Sequence, residues 1–151
     1  MALRIVAAGT QRDAYLPLLA LADDSEEQVR GYYQTGDLYV LDDGVGVVLT
    51  IGDDPDSVEL KAVAVEESRH NQGVGRRLLA EVLADLKQRG VRHVLVGTAS
   101  CSIGQLAFYQ KAGFRLRSIE RDYFSPARGY PEGLTENGIL LRDMVWMDQD
   151  L

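Results

Sequence analysis

Short apolar runs and alternating apolar and polar positions recur along the chain, separated by turns rich in glycine and aspartate. A period of two is typical of strands, and a period of three to four is typical of helices. On this basis the sequence predicts seven strands, at residues 3–8, 38–41, 45–51, 57–65, 91–97, 114–123 and 139–147. It predicts four helices, at residues 13–22, 25–34, 73–89 and 103–111, and a loop over residues 125–137.

The helix over residues 73–89 has the clearest pattern, because its apolar side chains fall three and four positions apart and Gly90 follows it. These side chains are Leu78, Leu79, Val82, Leu83 and Leu86. The helix over residues 13–22 is predicted despite Pro17. Ser25-Glu26-Glu27-Gln28 is typical of a capping box at a helix start, and Asp42-Asp43-Gly44 is typical of a hairpin turn.

The order of these elements predicts an α/β fold. One strand and two helices are followed by three consecutive strands, which favour antiparallel hairpins. Strand–helix–strand connections come next, and they favour parallel pairing. We therefore expect a mixed sheet with helices covering both faces.

Composition narrows the class of protein. A length of 151 residues suits a single domain over residues 1–151, and 46% apolar with 26% charged residues is ordinary for a globular protein. No apolar run suggests a membrane partner, the first residues do not resemble a signal peptide, and the single cysteine, Cys101, favours a reducing cytoplasm. A net charge of −7 makes nucleic acid an unexpected partner.

Two glycines after the fourth strand indicate an anion site. The first N–H groups of a helix have no intrahelical partner and lie at the positive end of its dipole. Gly73 and Gly75 would let an anion approach the main chain, and Arg76 and Arg77 in the first turn would add positive charge.

Two motifs give the chain a resemblance to the GCN5-related N-acetyltransferase superfamily. His70-Asn71-Gln72-Gly73-Val74-Gly75 is similar to the superfamily's Q/R-x-x-G-x-G/A loop, with His70 in place of Gln or Arg. Ser102–Phe114 is similar to N-x-x-A-x-x-[FL]-Y-x-K-x-G-F, with Ser102 for Asn and Gln105 for Ala. The motifs lie in the expected order, one helix and one strand apart, and the resemblance covers nearly the whole chain.

The resemblance implies a mixed, mostly antiparallel twisted sheet of about seven strands flanked by four helices. It implies transfer of an acetyl group from acetyl-CoA to a primary amine, with no metal. The pyrophosphate of the coenzyme would lie on the loop and helix start, and its pantetheine arm would lie along the fourth strand. The implied cofactor-binding residues are Val63, Ala64, Val65, His70, Asn71, Gln72, Gly73, Val74, Gly75, Arg76, Arg77, Ser102 and Gln105.

The resemblance also implies two catalytic residues. Glu59 is the candidate base that removes a proton from the amine, and its alternative is an exposed strand carboxylate. Tyr109 is the candidate acid that protonates the departing thiolate, and its alternative is a packed aromatic residue.

Several residues keep two interpretations. Ser102 either contacts the coenzyme or caps the helix that follows, Gln105 either contacts the coenzyme or faces solvent, and His70 either contacts phosphate or is a turn residue. Phe124, Arg128 and Tyr130 are candidates for shaping the acceptor pocket.

Rival functions also follow from the glycine loop. A dinucleotide-binding domain is disfavoured because the third glycine of G-x-G-x-x-G is missing. A non-catalytic acyl-CoA sensor or a regulatory module would have the same fold, and measured turnover would exclude it. The acceptor is a small molecule or a peptide, and a homodimer is a further possibility left open by the sequence.

Overall fold

The computed structural model describes residues 2–42 and 44–151, apart from the side chain of Asp53. The strands are β1 (Leu3–Val6), β2 (Asp37–Leu41), β3 (Gly46–Asp54), β4 (Ser57–Val65), β5 (His93–Ala99), β6 (Arg115–Glu120), β7 (Thr135–Glu136), β8 (Ile139–Leu140) and β9 (Met144–Asp150). The α-helices are α1 (Leu16–Leu19), α2 (Glu26–Tyr32), α3 (Val74–Gln88) and α4 (Ile103–Lys111). The predicted turn at Asp42-Asp43-Gly44 falls partly on Asp43, outside the described residues.

Seven strands form one mixed sheet in the order β1-β2-β3-β4-β5-β9-β6. Its described pairs are antiparallel, except that β4 and β5 run parallel on either side of the crossover helix α3. The predicted fold class, a mostly antiparallel mixed sheet with four helices, is therefore confirmed.

Two hydrophobic cores lie on opposite faces of this sheet. One buries the apolar side of α3 together with Tyr109 and Phe114 against the central strands. The other buries Leu19 of α1 and Val29 of α2 against the N-terminal strands. The β4–β5 junction lies between these cores, so both of its faces are covered.

The predicted helix over residues 13–22 is wrong in type over most of its length. Thr10–Tyr15 and Ala20–Ala22 are 3₁₀ turns, and only Leu16–Leu19 is α-helical. Pro17 lies in the first turn of this short helix, where its missing N–H costs no hydrogen bond.

The second predicted helix starts as expected but ends early, at Tyr32. The Ser25 hydroxyl caps it by accepting a hydrogen bond from the N–H of Gln28 at 3.2 Å. The reciprocal half of the capping box is absent, because the Gln28 side chain instead donates to the carbonyl of Arg128 at 2.5 Å. A tertiary contact has replaced the local one.

The C-terminal prediction is also corrected. Residues 139–147 do not form one strand: β8 pairs with β7 in a separate hairpin, and β9 enters the sheet between β5 and β6. Asn137 and Gly138 turn this hairpin with φ of 56° and 73°, as a type I′ turn requires. The predicted loop thus contains β7 and a 3₁₀ turn at Pro126–Arg128.

Arg12 is a buried cation that the hydrophobic pattern does not single out. Its side chain is 2% exposed and donates to the carbonyls of Val6, Tyr33, Thr35 and Gly36 at 2.7 to 3.1 Å. These bonds compensate the charge for lost water and join β1 to the segment after α2.

Candidate active site

The central feature of the site is the separation of two parallel strands. Strands β4 and β5 are paired from Ser57–His93 to Leu60–Val96 and no further. At this point Lys61 is an extra residue in β4, since Leu49 pairs with Ala62 and Thr50 pairs with Leu60. Such a bulge bends a strand. A cavity of about 190 Å³ lies at the separation.

The main chain of β4 points into this gap at alternate residues. The N–H of Glu66 donates to the carbonyl of Val45 at 2.9 Å, so this pair is hydrogen-bonded across β3 and β4. Because bonded and non-bonded pairs alternate in an antiparallel ladder, the main-chain groups of Val63 and Val65 face away from β3. Those of Ala64 face β3 instead, which leaves Ala64 without a polar group in the gap.

His70 is placed against this strand. Its ring Nε2 lies 2.6 Å from the carbonyl oxygen of Val65, and because a carbonyl only accepts, the ring donates. One of the two polar groups that Val65 turns into the gap is therefore already bonded.

The start of α3 presents free N–H groups, as the glycine pattern predicts. Gly73 has φ of +76° and no side-chain cap, and the first N–H bonded back to it is that of Arg77, at 3.1 Å. The N–H groups of Val74, Gly75 and Arg76 precede that bond and have no partner within the helix. The side chains of Arg76 and Arg77 are exposed.

The rest of this loop is polar and exposed. Asn71 adopts φ of +62°, and the Gln72 side chain donates to the carbonyl of Ser68 at 3.2 Å. A Cβ at Gly73 would meet no atom within 4 Å, whereas one at Gly75 would lie 3.4 Å from the ring of Phe108. The space around Gly73 is open, and the space around Gly75 is partly used by packing.

Tyr109 lines the cavity from α4 and is 4% exposed. Its ring packs edge-on against Phe108 and Phe114, with centroids 5.1 and 5.7 Å away. Burial alone raises the pKa of the Tyr109 phenol above its ordinary value, with no described side chain hydrogen-bonded to it. The hydroxyl is therefore neutral and keeps its proton available.

Glu59 lines the same cavity from β4 and is partly buried. Burial raises the pKa of Glu59 above its ordinary value, and Lys61, two residues along, opposes this. The Lys61 ammonium lies 5.1 Å from the ring centroid of Tyr32.

Ser102 does not cap α4. Its hydroxyl donates to Glu136 at 2.8 Å, and the helix has no side-chain cap. The capping interpretation is therefore wrong. Both Ser102 and Gln105 line the cavity.

Glu136 is a site residue that sequence reasoning missed. The β7–β8 hairpin carries it over the cavity, and Asn137 holds the hairpin in place by donating to the carbonyl of Cys101 at 2.9 Å. The Asn137-Gly138 dipeptide is a sequence signal for the turn of this hairpin. No sequence signal indicates where the hairpin packs on the rest of the molecule.

Asp23 and Asp24 both line the cavity. Asp23 also acts as a turn residue, since it accepts a hydrogen bond from the N–H of Ser25 at 3.2 Å. Asp23 accepts hydrogen bonds from the hydroxyls of Tyr32 and Tyr130 at 3.2 and 2.9 Å. Burial raises the pKa of Asp24, and the neighbouring carboxylates Asp23 and Glu136 raise it further.

Aromatic side chains complete the outer wall. Phe124 packs edge-on against Tyr123 and Tyr130, with both centroid distances 5.0 Å, and all three rings line the cavity. Arg128 lies outside the lining, 4.3 Å from the Tyr123 centroid, and pairs with Glu120 at 3.1 Å.

Comparison with known proteins places this chain in a family. The sequence model of the acetyltransferase (GNAT) family matches residues 10–114. The N-acetyltransferase YvbK of Bacillus subtilis (strain 168) is 38% identical over 152 residues, which cover 99% of this chain and 97% of that protein. The chain belongs to the GNAT acetyltransferase family. Membership makes it an acyltransferase.

Solved GNAT structures agree with the fold over the full length. The IAA acetyltransferase from Bacillus cereus ATCC 14579 has a TM-score of 0.86 at 36% identity, over 99% of both chains. A GNAT family acetyltransferase from Elizabethkingia anophelis with acetyl-CoA bound also has a TM-score of 0.86, at 35% identity over 99% of this chain and 97% of that one.

The described part of this GNAT chain holds neither a metal centre nor a membrane-spanning helix. In residues 2–42 and 44–151 no group of three or more His, Cys, Asp or Glu side chains is placed to hold a metal ion. Across the same residues, no helix combines the length and apolar character needed to cross a membrane.

Proposed function

We propose that this GNAT protein transfers an acetyl group from acetyl-CoA to a primary amine by direct attack on the thioester. The observation that carries the proposal is the gap between β4 and β5, into which main-chain groups of Val63 and Val65 point and which the buried Tyr109 lines. The relative from Elizabethkingia anophelis, which has acetyl-CoA bound, supports this choice of co-substrate.

The residues present fit the coenzyme. An extended arm can add to β4 like a further strand through the polar groups of Val63 and the N–H of Val65. The free N–H groups at the start of α3, with Arg76 and Arg77, suit a pyrophosphate, and the open space at Gly73 lets it approach. We extend this role to Asn71, Gln72, Val74 and Gly75 through their main chain, and to Ser102 and Gln105 from α4. His70 positions the strand end through Val65 in this scheme.

The chemistry follows from the protonation states of two side chains. Acetyl-CoA supplies the thioester carbonyl that the amine attacks. Glu59 accepts a proton from the ammonium, whose pKa of about 10 keeps it charged at neutral pH. The nitrogen then bonds to the carbonyl carbon and the carbon–sulfur bond breaks, which leaves an extra proton on the nitrogen and a thiolate. Tyr109 gives its proton to the sulfur, the nitrogen returns its extra proton to the Tyr109 oxygen, and Glu59 releases its proton to solvent. The N–H of Val63 or Val65 would stabilise charge on the carbonyl oxygen.

Calorimetry and Tyr109→Phe together test this proposal. Because the hydroxyl acts on the leaving sulfur, we expect the variant to bind acetyl-CoA like the unmodified protein and to lose about 10²-fold or more in turnover. Turnover is read as thiol release with a panel of amines. Tyr33→Phe is the matched control, since that hydroxyl bonds Asp13 outside the cavity.

Two results would overturn it. Absence of acetyl-CoA or CoA binding at moderate salt would remove the co-substrate. Unchanged turnover of Tyr109→Phe, with chemistry shown to limit the rate, would remove Tyr109 from its role.

The remaining assignments stay predictions from sequence. They are the single domain over residues 1–151, the cytoplasmic location, the homodimer, and the absence of nucleic-acid and membrane partners.

A further inference from the structure

The cavity has a strong local charge. Four carboxylates line it, from Asp23, Asp24, Glu59 and Glu136, against the single ammonium of Lys61. The lining therefore carries a formal excess of three negative charges. One amine near Glu59 would balance only part of this excess.

The carboxylates fall into two sets by depth. Glu59 is partly buried beside the strand separation. Tyr109 lines the same cavity, is 4% exposed, and has no hydrogen-bond partner for its hydroxyl among the described residues. Asp24 and Glu136 are exposed and lie at the mouth, and Asp23 is partly buried next to Asp24. The first set surrounds the reacting end of the cavity, and the second surrounds its entrance.

The outer carboxylates, Asp23, Asp24 and Glu136, line the same cavity, and none of them forms an ion pair with a described Lys or Arg. The Ser102 hydroxyl donates a hydrogen bond to Glu136. The hydroxyls of Tyr32 and Tyr130 donate to Asp23, the neighbour of Asp24 in the chain. Asp24 accepts no hydrogen bond from the described residues, and its carboxylate is destabilised by Asp23 and Glu136. A positive charge placed between Asp24 and Glu136 would relieve this repulsion.

The aromatic wall suits the same ligand. Phe124 and Tyr130 line the cavity together with the outer carboxylates, and ring faces attract cations. The Tyr123 ring already has Arg128 over it, 4.3 Å from its centroid. The cavity, with a volume of about 190 Å³, has room for a short aliphatic chain.

We infer that the acceptor is a small aliphatic diamine or polyamine, whose second ammonium is bound by Asp24 and Glu136 while the reacting amine lies between Glu59 and Tyr109. This inference rests on the proposed acetyl transfer and names its substrate class.

Two amines of equal carbon number test it, 1,4-diaminobutane and 1-aminobutane. A second ion pair near a protein surface, at about 1–4 kcal/mol, predicts a kcat/KM at least about fivefold higher for the diamine. Added NaCl should reduce this ratio, because salt screens exposed charges. Spermidine extends the comparison to a longer chain.

Variants identify the carboxylates responsible. We expect Glu136→Gln and Asp24→Asn each to lower the diamine-to-monoamine ratio, and the double variant to bring it close to one. Glu132→Gln is the matched control, since it removes one charge from the same loop outside the cavity lining and should leave the ratio unchanged.

The outcomes separate the two proposals. Calorimetry with acetyl-CoA comes first, and a failure to bind overturns the proposed function and this inference together. If acetyl-CoA binds and the two amines react equally, only the substrate class is wrong. If neither reacts, 1,4-diaminobutane is titrated into the protein–CoA complex, and absence of binding there also overturns the substrate class.

Discussion

Glu59 is the side chain whose protonation state should set the acid side of the pH–activity profile. Only the carboxylate accepts a proton, so kcat/KM falls as pH drops through its pKa. Burial raises this pKa, which moves the acid limb above the pH at which an exposed glutamate titrates. Lys61 opposes the rise, so Lys61→Met should shift the limb to still higher pH.

The pH dependence of kcat/KM checks this with three variants. Glu59→Gln should abolish the limb and lower activity by about 10²-fold or more. Glu67→Gln, at an exposed turn position, is the control and should change neither. A limb at the same pH in the unmodified protein and in Lys61→Met would show that another group is the base.

Some site residues can be predicted from the sequence, and others cannot. Gly73 and Tyr109 belong to short motifs whose spacing is local, so the sequence alone is enough to place both. Glu136 is held by a hydrogen bond from Ser102, which is 34 positions away in the chain. Arg12 is held by hydrogen bonds to the carbonyls of four other residues. Contacts of this kind depend on how elements dock, which periodicity does not encode.

Strand β5 depends on a missing side chain at its pairing with β9. Gly97 is opposite Trp146, and a Cβ there would lie 2.7 Å from Trp146 Cζ3 and 2.9 Å from Met144 Sδ. Because both neighbours are large and packed, we expect Gly97→Ala to lower the free energy of unfolding by about 1–3 kcal/mol. Denaturant unfolding measures this.

Gly31→Ala in α2 is the matched control with the opposite sign. A Cβ there would meet no atom within 4 Å, and its φ is not positive. Alanine favours a helix over glycine by about 0.5–1 kcal/mol, so this variant should be more stable. A Gly97→Ala protein as stable as Gly31→Ala would mean that Trp146 gives way at little cost.

Elements are predictable where one pattern acts alone. Strand β4 and helix α4 have the predicted bounds, since alternation and helical spacing there meet no competing signal. The prediction around Pro17 is wrong because proline favours the start of a helix over its middle. The prediction of the C-terminal strand is wrong because two short apolar segments, separated by a turn, resemble one strand in sequence.

At the scale of the whole molecule, strands β1–β4 and strands β5, β9 and β6 form two parts of one sheet, joined by the short β4–β5 pairing. Four register pairs connect β4 to β5, and beyond them the proposed coenzyme site occupies the separation. A ligand that binds only the folded state stabilises it by about 2.7 kcal/mol at one hundred times its Kd. For a chain of this length, each kcal/mol raises Tm by about 2–4 °C, so acetyl-CoA should raise it by about 5–10 °C.

The net negative charge of the chain opposes binding of acetyl-CoA, so we expect the affinity to depend on where the positive side chains lie. The chain carries −7 and the coenzyme is a polyanion, so the proposed binding depends on local attraction at the start of α3. We expect R76A/R77A to reduce the acetyl-CoA-induced rise in Tm well below that of the unmodified protein. R115A/R121A changes the net charge equally at exposed positions in β6 and the turn after it, and should keep most of the rise. Equal losses in the two double variants would mean that total charge, rather than the helix start, governs coenzyme binding.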